Sequence, residues 1–208
     1  MYDESHTIRQ FLDATAARQP TPGGGAVTAL TGALAAAIGE MALNYSLGKK
    51  GLEAFEGEIR PAAEELKRLR GVLLKAMADD QAAYADLTAA RKLPESSPDR
   101  ATKIRTALAG AIQAPQAMAR AAVSILELCD KVINFINPWL LSDLAVCADL
   151  SMAAARCAIY NVRVNLPEVK DPAERQAMEA SIGQILSKSA SLIQRVAPRI
   201  WERLQQTI

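Results

Sequence analysis

Histidine, cysteine and aromatic residues are all scarce in this sequence of 208 residues. The single histidine, His6, lies near the N-terminus, which argues against a Ser-His-Asp triad and against a histidine-based metal site. Cys129, Cys147 and Cys157 form no C-x-x-C pair and have no metal-ligand spacing. We therefore expect the cysteines to be core residues of a reduced, cytoplasmic protein that uses no metal.

An excess of charge of either sign is also missing. The formal net charge is +1, so the composition carries no nucleic-acid footprint. The uncharged run from Ala26 to Gly39 is shorter than the ~20 residues that a membrane span needs, and no charged start leads into an apolar signal segment. We expect a small molecule or another protein chain as partner, without nucleic acid or membrane.

Alanine and other helix formers are abundant, while segments rich in Val, Thr or Tyr are few. The sequence therefore predicts an all-α protein, a bundle of about five to seven helices in a single domain over residues 1–208. The predicted helices run from about Thr7 to Ala17, Ala26 to Leu47 with Gly48 as C-cap, Pro61 to Arg91, Asp99 to Cys129 or Lys131 with a bend at Pro115, Ser142 as N-cap to Val164, and Asp171 to the C-terminus with a disturbance at Pro198.

Glycines give the second predicted helix two possible roles. Gly25, Gly32 and Gly39 are seven residues apart and form a stripe of small residues, which favours close helix packing inside the subunit or across a dimer. Alternatively, Gly23 to Gly25 expose backbone N–H groups at a helix N-terminus, where an anion or an electron-rich ring is favoured. The run lacks the spacing of a dinucleotide-binding or P-loop motif.

An acid interrupts the apolar face of the third predicted helix. Asp80 falls on this face, whereas Asp79 lies ~100° around the helix and is expected to face solvent. A backbone N–H or a buried Arg or Lys would pair with Asp80; alternatively, Asp80 is an acid of raised pKa that acts on a substrate. The apolar positions on this face are Leu66, Leu69, Leu73, Ala76, Ala83, Leu87 and Ala90.

The fifth predicted helix carries a second acid together with two asparagines. Asp143 and Asn161 are eighteen residues apart, about five turns, so they share a face, and Asn165 lies about one turn further. Simple N-capping explains Ser142 and Asp143 but does not explain the asparagines on the same line.

Taken in order, these motifs resemble the cyclodeaminase/cyclohydrolase family. This family comprises the C-terminal domain of formiminotransferase-cyclodeaminase and the free-standing methenyltetrahydrofolate cyclohydrolases, and the resemblance extends from the first helix to about Asp171. The matching residues are Pro22 to Gly25, Asn44, Leu47 to Lys50, Asp79, Asp80, Ala83, Tyr84, Lys92 to Pro94, Ser142, Asp143, Asn161, Val162, Asn165, Leu166 and Asp171.

The resemblance implies an all-helical homodimer whose substrate is a tetrahydrofolate derivative. A monofunctional cyclohydrolase is expected first, because the chain has no room for a formiminotransferase domain. It would hydrolyse 5,10-methenyltetrahydrofolate to 10-formyltetrahydrofolate. The alternatives are a formimidoyltetrahydrofolate cyclodeaminase, which releases ammonia, and a non-catalytic folate-binding helical dimer.

The same resemblance implies roles for individual residues. Asp80 would move protons and Asp143 would stabilise the cationic bridge, or the reverse. Gly23, Gly24 and Gly25 would let the pterin approach the backbone. Lys49 and Lys50 would hold the glutamate tail, unless they are simply solvated lysines. The remaining expected substrate-binding residues are Asn44, Asn137, Ser142, Asn161 and Asn165.

One segment departs from the family pattern. Where the family has Gly-Asn-x-Asn, this chain has Ile136-Asn137-Pro138-Trp139. We expect residues 134–141 to line the same cleft as Gly23 to Gly25, with Trp139 offering the site a large flat surface. A folate would then bind in a changed pose.

Overall fold

A computed structural model describes residues 1–207, and within this range the chain forms six α-helices and no β-strand. The predicted all-α class is thereby confirmed. The helices are α1 (Ile8–Ala16), α2 (Gly24–Asn44), α3 (Glu56–Arg91), α4 (Arg100–Val132), α5 (Leu141–Arg163) and α6 (Pro172–Thr207), with short 3-10 turns at Glu53–Phe55, Pro138–Leu140 and Leu166–Glu168.

Local capping chemistry sets several of these boundaries. At α1 the predicted capping box is present, because Thr7 Oγ1 accepts from the Gln10 N–H at 3.2 Å and Gln10 Oε1 accepts from the Thr7 N–H at 2.8 Å. The prediction for the end of α2 was three residues too long, and Gly48, with φ of +67°, lies in the turn beyond it. Only glycine adopts such a φ at little cost.

The predicted N-cap of α5 is wrong. The helix begins at Leu141, one residue before Ser142, and its N-cap position is Leu140, which makes no side-chain cap bond. Asn137 caps the preceding 3-10 turn instead, where its Oδ1 accepts from the Trp139 N–H at 3.2 Å. A turn that runs directly into the helix already supplies partners for the first N–H groups, so no Ser or Asp cap is needed.

Four long helices form a ring around the core. Helices α2 and α4 each pack against both α3 and α5, while α6 lies along α4 and α5. Arg195 and Arg199 fasten α6 by ion pairs to Asp130, at 2.6 and 2.7 Å. Each fully buried Leu or Ile contributes about 1.5–3 kcal/mol through its removal from water. The largest such side chains include Leu43, Ile59, Leu73, Ile112, Ile125, Leu126, Ile133, Leu144 and Ile159.

The glycine stripe of α2 faces inward and confirms the expected close packing inside the subunit. A Cβ on Gly32 would lie 3.1 Å from the methyl carbons of Leu73, and one on Gly39 would lie 2.8 Å from Cys147 Sγ. Larger side chains at these two positions would therefore push α3 or α5 away from α2.

Helix α2 is buried in the bundle by more than half of its most apolar window, although its length and composition would also suit a membrane span. Its 21 residues extend the uncharged run by several residues at the C-terminal end. Its small side chains are the ones that let α3 and α5 approach, so packing accounts for its apolar character.

Candidate active site

The carboxylate of Asp80 lies directly over the first turn of α2. A Cβ built on Gly25 would stand 1.9 Å from Asp80 Oδ1, so only glycine leaves room for the acid there. The backbone N–H of Ala26 donates to this carboxylate, while burial raises its pKa above the ordinary aspartate value. The burial effect is the larger of the two, and the N–H bond partly offsets it.

This arrangement explains the run of glycines in the sequence. The partial positive charge at the N-terminus of α2 is met by the protein's own carboxylate rather than left open for a phosphate. Of the partners that the sequence allowed for Asp80, the structure shows the backbone N–H. The neighbouring acid, Asp79, is exposed and forms an ion pair with Lys75 at 2.6 Å, as expected for a residue on the solvent side.

Two asparagines of α5 reach the same turn. Asn161 Oδ1 lies 3.2 Å from where a Cβ on Gly24 would stand, and Asn161 Nδ2 donates to Thr28 Oγ1 at 3.4 Å. One turn further along α5, Asn165 Nδ2 donates to the carbonyl of Asn161 at 3.0 Å and to that of Ala111 on α4 at 3.3 Å. The end of α2 that begins at Gly24 therefore gathers a raised-pKa acid and a supported amide.

The other predicted site residues lie at the opposite end of the α2/α5 pair. The Asn137 N–H donates to Ser46 Oγ at 2.9 Å, just after the end of α2. Asp143, half-buried, stands in the first turn of α5 beside the exposed Ser142. The remaining members of this group, Asn44, Lys49 and Lys50, are exposed.

A single chain keeps these two groups far apart. Asp143 and Asn161 lie on one continuous helix, and eighteen residues at a rise of 1.5 Å separate them by about 27 Å along its axis. The expectation that residues 134–141 line the cleft of Gly23 to Gly25 is therefore wrong within one subunit. Ile136 is fully buried in the core, and the indole of Trp139 is 75% exposed at the Asp143 end.

Sequence reasoning missed Thr28, whose buried hydroxyl donates to the Gly24 carbonyl at 2.7 Å and accepts from Asn161. The available signal was a polar residue on the inward, otherwise small and apolar face of α2, three residues after Gly25. Helical periodicity can place such a residue in the core, but it cannot name the side chain from another helix that meets it.

The cysteine and histidine expectations have mixed outcomes. Cys129 and Cys147 are buried with their sulfur atoms 3.5 Å apart, whereas Cys157 is exposed, so its assignment to the core is wrong. The His6 ring packs beside Tyr2, with ring centroids 4.7 Å apart. Over residues 1–207, no group of three or more His, Cys, Asp or Glu side chains is arranged to hold a metal ion.

Comparisons with known proteins agree with the resemblance. The family model for formiminotransferase-cyclodeaminase matches residues 7–184. A methenyltetrahydrofolate cyclohydrolase from Methylorubrum extorquens is 32% identical over 92% of this chain and 94% of its own length. The formimidoyltransferase-cyclodeaminase of Gallus gallus is 27% identical over 86% of this chain, which spans only 34% of that longer protein.

A solved structure shows the same fold. The crystal structure of formiminotetrahydrofolate cyclodeaminase from Thermotoga maritima superposes with a TM-score of 0.89 at 30% identity. The match covers 96% of this chain and 98% of the Thermotoga chain, so the six-helix arrangement is shared over nearly its full length.

Proposed function

This chain belongs to the formiminotransferase-cyclodeaminase family, and we propose that it is a methenyltetrahydrofolate cyclohydrolase that converts 5,10-methenyltetrahydrofolate to 10-formyltetrahydrofolate. The Methylorubrum relative that carries this name matches from end to end. The observation that carries the proposal is the Asp80 carboxylate, raised in pKa and fixed over Gly25 by the Ala26 N–H.

The proposed chemistry needs a base beside a cation. Water adds its oxygen to the cationic methenyl carbon and gives one proton to the Asp80 carboxylate, which leaves a neutral hydroxyl adduct. The adduct then opens as the bond from this carbon to N5 breaks, the hydroxyl proton passes to N5, and the formyl group stays on N10. The net products are 10-formyltetrahydrofolate and one proton. Because the carbon under attack is already cationic, the scheme requires no metal to polarise it.

We assign the stabilisation of the cation to Asp143, supplied by a second copy of the chain. One subunit holds Asp143 about 27 Å from Asn161, so a single subunit does not complete the site. If two subunits pack side by side and antiparallel, as twofold symmetry permits, the Asp80 end of one lies beside the Asp143 end of the other. Two equivalent sites would form in each dimer.

The outer side of the α2/α5 pair supports this homodimer. Side chains spaced seven or fourteen residues apart on these two helices are apolar and exposed, among them Leu34 at 54% and Tyr160 at 55%. An exposed apolar strip of this kind favours association. The strip consists of Val27, Leu34, Tyr45, Val146 and Tyr160, and it runs between the two groups of site residues.

The remaining assignments follow from this geometry. Lys49 and Lys50, exposed beyond the end of α2, would hold the glutamate tail of the folate as point charges. A cytoplasmic location is proposed because the chain has three free thiols, which suit a reducing compartment.

A second candidate is formimidoyltetrahydrofolate cyclodeaminase, and the 0.89 TM-score to the Thermotoga structure favours it. In this reaction N10 closes on the formimino carbon and ammonia leaves, so the same base would act on nitrogen. Because both reactions pass through a tetrahedral carbon between N5 and N10, one site geometry serves either.

Two assays on the purified protein separate the candidates. We expect the absorbance of methenyltetrahydrofolate to fall faster than in a protein-free control, with no ammonia released from 5-formiminotetrahydrofolate. Ammonia release without accelerated hydrolysis would transfer the assignment to the cyclodeaminase. If neither substrate turns over but 5-formyltetrahydrofolate binds in calorimetric titration, the protein is a folate-binding dimer.

A further inference from the structure

Thr28 is a buried hydroxyl for which the proposed chemistry has no role so far. Only 2% of the residue is exposed. Its hydroxyl donates to the carbonyl of Gly24 at 2.7 Å and receives the Asn161 amide at 3.4 Å. A hydroxyl has one hydrogen, and this hydrogen is used on Gly24. Thr28 Oγ1 can therefore only accept from Asn161.

The second partner of the Asn161 amide makes the same demand. Asn161 Nδ2 also donates to the carbonyl oxygen of Cys157 at 2.9 Å, and a carbonyl can only accept. Both partners thus require the NH₂ group of Asn161. Its Oδ1 is left to face the first turn of α2, near Gly24.

Two oxygen acceptors consequently flank consecutive residues of α2. The Asp80 carboxylate covers Gly25, and Asn161 Oδ1 lies 3.2 Å from the Cβ position of Gly24. A molecule between them is best matched if it carries two hydrogens to donate. The attacking water in the proposed hydrolysis is such a molecule, whereas an anion would meet only acceptors there.

We propose that Thr28 is a positioning residue that holds the amide of Asn161 with its carbonyl oxygen toward Gly24, so that Asp80 and Asn161 together orient the attacking water. Asp80 takes one hydrogen of this water as the carbon–oxygen bond forms. Asn161 Oδ1 accepts a hydrogen bond from the other hydrogen. An inverted Asn161 amide would present N–H groups to the water and turn its oxygen away from the methenyl carbon.

The test begins with Thr28→Val, which keeps the branched shape but removes both hydrogen bonds. We expect kcat/KM for methenyltetrahydrofolate to fall about tenfold, as for a lost hydrogen bond, mainly in kcat, and Thr28→Ser to restore it. The matched control is Thr15→Val, because Thr15 makes the equivalent bond to the Phe11 carbonyl within α1 at 2.8 Å. This control should leave the kinetics unchanged.

A double variant tells positioning from packing. If Thr28 acts through Asn161, Thr28→Val should cost almost nothing further in an Asn161→Ala background. An equal loss in both backgrounds, or wild-type kinetics in Thr28→Val alone, would overturn the proposal.

The kinetic arm depends on the proposed function, so a second arm is independent of activity. The side-chain amide resonances of Asn161 in a ¹H–¹⁵N spectrum should shift in Thr28→Val and stay in place in Thr15→Val. Unshifted Asn161 resonances in Thr28→Val would defeat the positioning role. A shift in a protein that does not hydrolyse methenyltetrahydrofolate would leave that role standing and defeat the proposed function instead.

Discussion

The two ends of the α2/α5 helix pair are built in different ways. At the Gly24 end, Asp80 and Asn161 are held by hydrogen bonds from or to other elements, and the acid is partly desolvated. At the other end, the indole of Trp139 is 75% exposed and two lysines lie in solvent. The first end has the rigid, preorganised character of a catalytic centre, whereas the second has the open character of a surface that a partner or ligand covers.

This difference shows how the work of one site can be divided. Proton transfer needs an acid whose pKa and position are fixed by the fold, and a single subunit provides this at Asp80. Stabilisation of a cation and recognition of a charged tail need only correctly placed charges. Asp143, Lys49 and Lys50 can supply these charges from a second copy. The predictions that follow probe first the Asp80 end and then the link between the two ends.

The largest effect is expected from Asp80→Asn. We expect activity to fall by roughly 10²- to 10⁴-fold, the range for loss of a positioned proton-transfer group, while the protein stays folded because the amide can still accept from Ala26. Steady-state kinetics and urea denaturation measure the two quantities. Asp79→Asn is the matched control, since that exposed acid is paired only with Lys75. An Asp80→Asn protein that turns over normally but unfolds would make Asp80 a structural residue.

Gly25→Ala should have the next largest effect. The added methyl would occupy the position of Asp80 Oδ1, at 1.9 Å, and so displace the carboxylate from the Ala26 N–H. A misplacement of this size costs about 10²-fold in rate. Gly71→Ala is the control, because a Cβ there meets nothing within 4 Å and the change in a helix interior stabilises by about 0.5–1 kcal/mol. Equal activity in the two variants would show that the placement of Asp80 does not matter.

Mixing two inactive variants tests whether the two ends meet across a dimer. If each site takes Asp80 from one copy and Asp143 from the other, a dimer of Asp80→Asn with Asp143→Asn chains keeps one intact site. Random pairing of equal amounts after unfolding and refolding should then restore roughly a quarter of wild-type activity. The readout is the absorbance assay on the mixture beside each variant refolded alone. No recovery in a mixture shown to contain mixed dimers would place both acids' work within single chains, or remove Asp143 from the site.

The sequence was sufficient to predict the helices and the inward acid because both depend on local rules. Capping boxes, prolines and helical periodicity act within a few residues, and they located α1, the glycine stripe and Asp80. The Ala26 N–H and the Thr28 hydroxyl could not be predicted as partners, since these contacts join helices far apart in the chain. A shared helix face was also mistaken for proximity. Asp143 and Asn161 lie on one line, yet about 27 Å apart along it.

The smallest effect concerns the pH dependence of stability at the Asp80 end. Burial raises the Asp80 pKa above its unfolded value. Between about 3.9, the ordinary aspartate value, and the raised pKa, the folded protein therefore holds more protons than the unfolded one. The slope of the unfolding free energy with pH is then negative for this group. Its contribution to stability falls as pH rises through this window and stays at the lower level above it.

Asp80→Asn removes this titration while keeping the shape of the side chain. The stability of the variant relative to wild type should therefore be lowest in acid, rise through the window and level off above it. Urea denaturation of both proteins at one protein concentration, from about pH 3 to about pH 7, measures this difference. A difference that shrinks as pH rises would mean that the Ala26 N–H stabilises the ionised carboxylate by more than burial destabilises it. In that case the pKa of Asp80 would be lowered rather than raised, and the acid would be a weaker base than the proposed hydrolysis requires.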